Sequence, residues 1–371
     1  MTQPTATPAT THEAPPGGAA VSDADRDLQA CLALMRTGSR SFFAAARLLP
    51  ARVRPDAVAL YAFCRVADDL VDDPPHSVDD SLALLGRRLD AVYAGRPGDA
   101  VEDRALAAVV QRHRLPRPLL DALLDGFAWD ARGRQYETVD DLHGYGARVA
   151  GSVGAMMCWI MGARSPVALA RACEMGVAMQ LTNIARDVGD DARLGRLYLP
   201  RQWLREAGLD PEAWLAAPAC TPPLQRVVER LLVEAERLYA QATGGVACLP
   251  RDCQAAILAA RLIYADIGAQ LRRDGLDPVS RRAVVPAARK LVLLTQAWWL
   301  AGRTRAPEAR HAPAPLPAIR YLIDHCDDAS AAAVVPALAR PVRERVVWMI
   351  ELFERLEQQR LSERLNGRGA R

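Results

Sequence analysis

Two stretches of this chain carry oxygen-bearing side chains at helical spacing, and their chemistry is that of hard cations. In "YAFCRVADDLVDD", Tyr61, Arg65, Asp68 and Asp72 step by four, three and four. In "QLTNIARDVGDDARLGRLYLP", Gln180, Asn183, Asp187 and Asp191 step by three, four and four. Residues three and four apart share one helix face, so each stretch offers a polar stripe ending in paired aspartates. Leu60, Phe63, Cys64, Ala67, Leu70 and Val71 fall mainly on the other side of the first, and Leu181, Ile184 and Val188 opposite the second. A like-charge pair costs an isolated helix only about 0.2–0.5 kcal/mol, so either stripe alone reads as a solvated surface. If the two helices face each other, the aspartates instead form an acidic rim.

Such a rim suits Mg²⁺ or Mn²⁺. Mg²⁺ in particular takes one or two carboxylates, keeps several waters and completes its shell with the oxygens of a substrate phosphate. The expected ligand is therefore a diphosphate. Arg65, Arg186, Arg196 and Arg40 in "GSRSF" are placed to hold the phosphate oxygens left over. Zinc is disfavoured, because the six histidines are scattered and no His/Cys spacing resembles a site.

The elements that must position these groups are helical. Ser22 precedes Asp25 by three as a capping-box-like start, and apolar positions recur at helical period around residues 54–73, 80–94, 102–111, 117–131, 140–161, 166–188, 224–242, 252–273 and 281–301. Gly244 and Gly275 stand where left-handed caps would close two of these. No alternating strand or hairpin dipeptide interrupts them. The reading is an all-α domain over residues 25–305 around a central cavity. Residues 1–24, rich in Pro, Ala, Thr and Gly, read as a disordered leader without a secretory signal. The segment 195–223 reads as a loop packed on the same body.

Beyond the joint "RTRAPEARHAPAPLP", residues 306–371 form an extension in which Val342, Val346, Met349, Ile350, Phe353 and Leu356 mark an apolar stripe. One reading packs this helix on the body or a second subunit. The other docks it on a membrane surface, against which its glutamates count.

Composition narrows the class. With 371 residues, 50% of them hydrophobic, the chain can bury a sizeable core. A net charge of +3 from 47 basic and 44 acidic residues argues against a nucleic-acid binder. Eight cysteines without a CxxC pair fit free thiols in a reducing compartment. No window approaches the roughly 18 apolar residues of a membrane span, so the expected location is the cytoplasm, with any membrane contact peripheral, at the inner face.

Five stretches in order, "GSRSFFAAARLLP", "YAFCRVADDLVDD", "ARVAGSVGAMM", "AMQLTNIARDVGDDARLGRLYLP" and "IYADIGAQLRRDGLDPVSRRAVVPAARKL", resemble the squalene/phytoene synthase family, and most closely its bacterial phytoene branch. The resemblance implies an isoprenoid-synthase-type helical bundle around an apolar cavity, binding divalent metal and prenyl diphosphate. Asp68 and Asp72 match the first metal array, and Asn183, Asp187 and Asp191 the second. Arg40, Arg65, Arg186 and Arg196 match diphosphate-contacting positions, and Tyr61 a cavity-mouth tyrosine. Many relatives have a tyrosine directly before "VAG"; here that residue is Arg148, with Tyr145 three positions earlier. Val71 in the first array follows the phytoene pattern.

The implied activity is head-to-head condensation of two geranylgeranyl diphosphates to phytoene in carotenoid biosynthesis. Ionisation needs a dry apolar cavity, for which "VAGSVGAMMCWIMGA" is suitable material, although its small residues equally suit close helix packing. No NADPH is expected. Expected partners are geranylgeranyl diphosphate, the membrane surface and other carotenoid-pathway enzymes. Two alternatives stand: a synthase using farnesyl diphosphate to make squalene, hydroxysqualene or dehydrosqualene, and a non-catalytic assembly-factor relative, which would be expected to have damaged arrays.

Overall fold

In a computed structural model of the chain, the structure describes residues 22–38, 46–72, 77–301, 303 and 313–327. Among these residues there is no strand. Helices α1 (Asp23–Gly38), α2 (Arg54–Asp72), α3 (Val78–Tyr93), α4 (Val101–His113) and α5 (Arg117–Ala131) make the first half. Then come α6 (Val139–Gly146), α7 (Ser152–Ile160) and α8 (Pro166–Arg193). The second half holds α9 (Arg201–Glu206), α10 (Pro211–Ala216), α11 (Pro222–Thr243), α12 (Arg251–Arg273), α13 (Ala287–Ala301) and α14 (Arg320–Asp327).

Local chemistry starts these helices where it should. Ser165 and Thr221 each precede a proline and accept from the backbone amide three residues on, at Ala168 and Leu224. Thr138 and Asp141 close a reciprocal capping box on α6. Ser22 accepts from the Asp25 amide at 3.2 Å, so the start of α1 reaches back into the expected leader. The rest of that leader lies outside the described residues.

The 28-residue α8 is the spine, its apolar face largely buried against α7, α11 and α12. Close approach is made possible by glycines. A Cβ on Gly176 would lie 2.2 Å from the Ala150 carbonyl oxygen, and one on Gly154 would lie 2.2 Å from that of Ala172. The obstacle is backbone in both cases, so neither neighbour can rotate away. Gly176→Ala is therefore expected to destabilise the fold by about 1–3 kcal/mol, read as a lower urea midpoint at unchanged m-value. Among the small residues of "VAGSVGAMM", Gly154 thus serves helix contact, while Val149 and Val153 face the cavity.

Four expectations are corrected. Residues 281–286 take no regular secondary structure and α13 begins only at Ala287, because Pro286 biases its predecessor away from helix. Gly275 takes the left-handed position at φ +79°, but Gly244 is right-handed at φ −60° and opens a short 3₁₀ turn. The segment 195–223 contains α9 and α10, anchored through buried Trp203, Leu204 and Trp214. The body also does not end at 305: Leu316, Ile319, Leu322, Ile323 and Cys326 join the main core. The apolar stripe at 342–356 lies outside the described residues. All eight cysteines are free.

Candidate active site

Helices α2 and α8 bring the two polar stripes to one hollow. Tyr61, Arg65 and Asp68 from α2, and Gln180, Asn183, Arg186 and Asp187 from α8, line the same cavity of about 690 Å³. Apolar walls come from Leu123 and Phe127 of α5 and from Ile263 and Ile267 of α12. The stripes project there because their opposite faces are core: Leu60, Phe63, Ala67 and Val71 on one helix, Leu181, Ile184, Ala185 and Val188 on the other. Arg40 lies outside the described residues.

Asp72 and Asp191 sit one turn beyond the cavity-lining members. The Arg196 guanidinium donates to Asp72 at 2.8 Å and so ties the loop after α8 to the end of α2. Arg65 pairs with Asp69 at 2.5 Å and more loosely with Asp68 at 3.5 Å. Asp187 accepts from two arginines, Arg186 at 2.7 Å and Arg282 at 2.7 and 3.0 Å. Arg282 comes from the non-helical 281–286 segment, which the sequence reading had assigned to a helix.

The electrostatics divide the acids. Burial would raise Asp187, but the hydrogen bonds and charges of Arg186 and Arg282 outweigh it and hold its carboxyl below the usual range. Burial, reinforced by Asp72, pushes Asp68 up to about 6. Burial, reinforced by Asp187, pushes Asp191 up to about 7. These are half-buried carboxyls with too little positive charge nearby, the environment that a dication would relieve.

Asp130, which the spacing did not single out, stands between the arrays. Burial pushes it up to about 6, and its charge acts on both Asp68 and Asp191. It accepts from the hydroxyls of Tyr145 at 2.5 Å and Tyr198 at 2.9 Å, whose rings stack 5.3 Å apart. Tyr145 lines the cavity. Arg148 turns elsewhere, stacking over Trp129 at 3.9 Å and pairing with Asp125. Thus Tyr145, not the residue before "VAG", supplies the tyrosine of this helix to the site. A single aspartate at a helix end carries no periodic signal, which is why Asp130 stayed hidden.

The residues fit a divalent metal. The Asn183 side-chain oxygen is buried and has no hydrogen-bond partner, as a ligand awaiting a cation would be. Among the described residues, no three His, Cys, Asp or Glu side chains converge on one metal position. An incomplete protein cage of this kind is what Mg²⁺ shares with a substrate's phosphates.

The family model described as squalene/phytoene synthase matches residues 35–289. A phytoene synthase of Rhodobacter capsulatus is 52% identical over 307 residues, covering 81% of this chain and 90% of the relative. One from Cereibacter sphaeroides is 47% identical over 355 residues, covering 91% of this chain and 95% of the relative. Among solved structures, a ligand-bound dehydrosqualene synthase superposes with a TM-score of 0.70 at 31% identity, covering 76% of this chain and 98% of that one. On its arrays, its cavity and these relatives, the chain belongs to the squalene/phytoene synthase family.

Proposed function

We propose that this chain is a phytoene synthase, a prenyltransferase that joins two geranylgeranyl diphosphates head to head, through prephytoene diphosphate, to phytoene in carotenoid biosynthesis. The observation that carries the reading is that Asp68 and Asp187, on separate helices, line one cavity that Leu123, Phe127, Val149, Val153, Ile263 and Ile267 also line. The relatives near half identity bear the same activity in their names.

In the first step the C–O bond of one substrate breaks, diphosphate leaves and an allylic cation remains. The double bond of the second substrate attacks it, and proton loss closes a cyclopropane. A second ionisation, rearrangement and proton loss give the hydrocarbon. Mg²⁺ or Mn²⁺ bound by Asp68, Asp72, Asn183, Asp187 and Asp191 would supply positive charge to the departing diphosphate. The guanidinium groups of Arg65, Arg186, Arg196 and Arg282 ring the same place and can take phosphate oxygens as the substrate arrives. Gln180 and Tyr61 line the cavity beside them. Leu123, Phe127, Val149 and Val153 keep water from the cation. Nothing in this sequence of steps consumes a reductant, so NADPH is not part of the proposal.

A second reading uses farnesyl diphosphate, favoured by the likeness to the dehydrosqualene synthase structure. Incubating purified protein with geranylgeranyl and farnesyl diphosphates separately, with Mg²⁺ or Mn²⁺ and with or without NADPH, decides between them. Phytoene from the first substrate without NADPH is the expected product. A thirty-carbon hydrocarbon as the main product would replace the reading, and no diphosphate release from either substrate would favour a non-catalytic relative. Contact with the membrane and with other carotenoid enzymes belongs to the same proposal, since substrate and product are both lipids. Among the described residues no helix is long and apolar enough to cross a membrane.

A further inference from the structure

Helix α13 buries one side and leaves the other bare. Leu293, Leu294 and Ala297 enter the core, whereas Val292, Trp298 and Trp299 are each more than half exposed, the two tryptophans at 54%. Val284, just before the helix, is equally exposed and also lines the catalytic cavity. Exposed apolar side chains therefore recur from the cavity rim, at Val284, to the far end of the helix. Large exposed aromatics of this kind mark an interaction surface.

Along this stretch of the chain the charges are of one sign. Between Asp277 and Glu308 the chain carries Arg281, Arg282, Arg289, Lys290, Arg303 and Arg305 and no acidic residue. Arg282 and Arg289 are engaged by Asp187 and Asp266 from neighbouring elements. Arg281 donates to the Asp274 carbonyl and Arg303 to that of Trp299, neutral acceptors that leave both charges in place. The Arg303 guanidinium also lies 3.7 Å from the centre of the Trp299 ring. Tryptophan on the exposed side of this helix, with arginine not paired to a carboxylate at either end of it, matches the interface of an anionic bilayer, where indole sits at headgroup level and arginine meets lipid phosphate.

We propose that the exposed face of α13, with Val284 before it, docks on an anionic membrane and sets the cavity rim against the lipid. A second protein would also be drawn to tryptophans, but the acid-free charge pattern and the continuity with the cavity favour the bilayer. The benefit rests on reading the cavity as a prenyl diphosphate site: a substrate with a long hydrocarbon tail would enter without crossing water. The docking itself does not rest on that reading.

The test uses full-length protein and flotation on vesicles of phosphatidylcholine alone or mixed equally with phosphatidylglycerol. Binding is expected to the anionic vesicles, weakened by salt. Trp298→Ser/Trp299→Ser should weaken it roughly tenfold. Arg281→Gln/Arg303→Gln should weaken it about as much and reduce its salt dependence. Circular dichroism and turnover of detergent-dispersed substrate should match the parent for both. Flotation of both variants like the parent would overturn the proposal, as would parent binding no better to anionic than to neutral vesicles. A smaller oligomer in the tryptophan variant with undiminished flotation would assign the face to a second copy and overturn it too. No substrate is present during flotation, so failure to make hydrocarbon would leave this result standing.

Discussion

Replacing Asp68 with asparagine is expected to lower turnover by about 10²–10³-fold, the scale of losing one preorganised group that stabilises departing charge. The site geometry makes Asp68 a cleaner probe than Asp187. Asp187 neutralises Arg186 and Arg282, and removing it would leave Arg186 without its carboxylate and Arg282 with only Asp190 at 3.9 Å, disturbing the 281–286 segment. Asp68 has only a loose 3.5 Å pairing with Arg65, which keeps Asp69 as a partner. Asparagine also relieves a carboxyl that burial and Asp72 hold up at about 6. For a group raised on folding, the ionised form opposes the folded state: the penalty is absent below the unfolded value and fully present above the folded one. Near pH 7 the Asp68→Asn protein should therefore melt at the parent's temperature or above it. Diphosphate release and thermal melting, measured on the same preparation, check both halves. Full turnover in this variant would remove Asp68 from the mechanism.

The largest effect on stability is expected far from the chemistry. On α8, Arg171 and Glu174 form an ion pair whose side chains are 3% and 0% exposed. Glu174 also accepts from the Leu316 amide at 3.1 Å, and Arg171 donates to the Pro313 carbonyl. The pair thus clamps residues 313–327 onto the spine of the bundle. Glu174→Ala leaves a buried guanidinium without its counter-charge, at a cost of about 3–5 kcal/mol. The expected readouts are a markedly lower urea midpoint and faster amide exchange across residues 313–327. Arg171→Met/Glu174→Leu should recover much of the loss, because two apolar groups of similar size carry no stranded charge. A midpoint within experimental error of the parent's in Glu174→Ala would refute the clamp. This contact explains why the Pro/Ala-rich joint misleads: composition marks a break at 306, but two buried polar groups 142 positions upstream hold the segment after it.

How much of the site could be read in advance depends on how local its signal is. Tyr61, Arg65, Asp68 and Asp72 share a face because α2 is a helix, and the same holds for Gln180, Asn183 and Asp187 on α8. Arg282 escaped because a proline ended the helical pattern it was assigned to, and Tyr145 was weighed only as a substitute for Arg148. Asp130, Tyr198 and Tyr145 come from three separate elements and meet only when α5, α6 and the loop after α8 are packed together.

The sequence by itself determined the helices, the two polar stripes and the resemblance that ordered motifs carry. Each of these follows from the 3.6-residue period or from residue type within a short window, and neither needs knowledge of a neighbour. Only the tertiary structure decided that α2 and α8 confront one another across one cavity, that Asp130 links their charges, and that the tryptophans of α13 face outward. Those outcomes depend on which apolar faces bury each other over separations of a hundred residues or more, and glycine contacts such as Gly176 against Ala150 set how closely they approach.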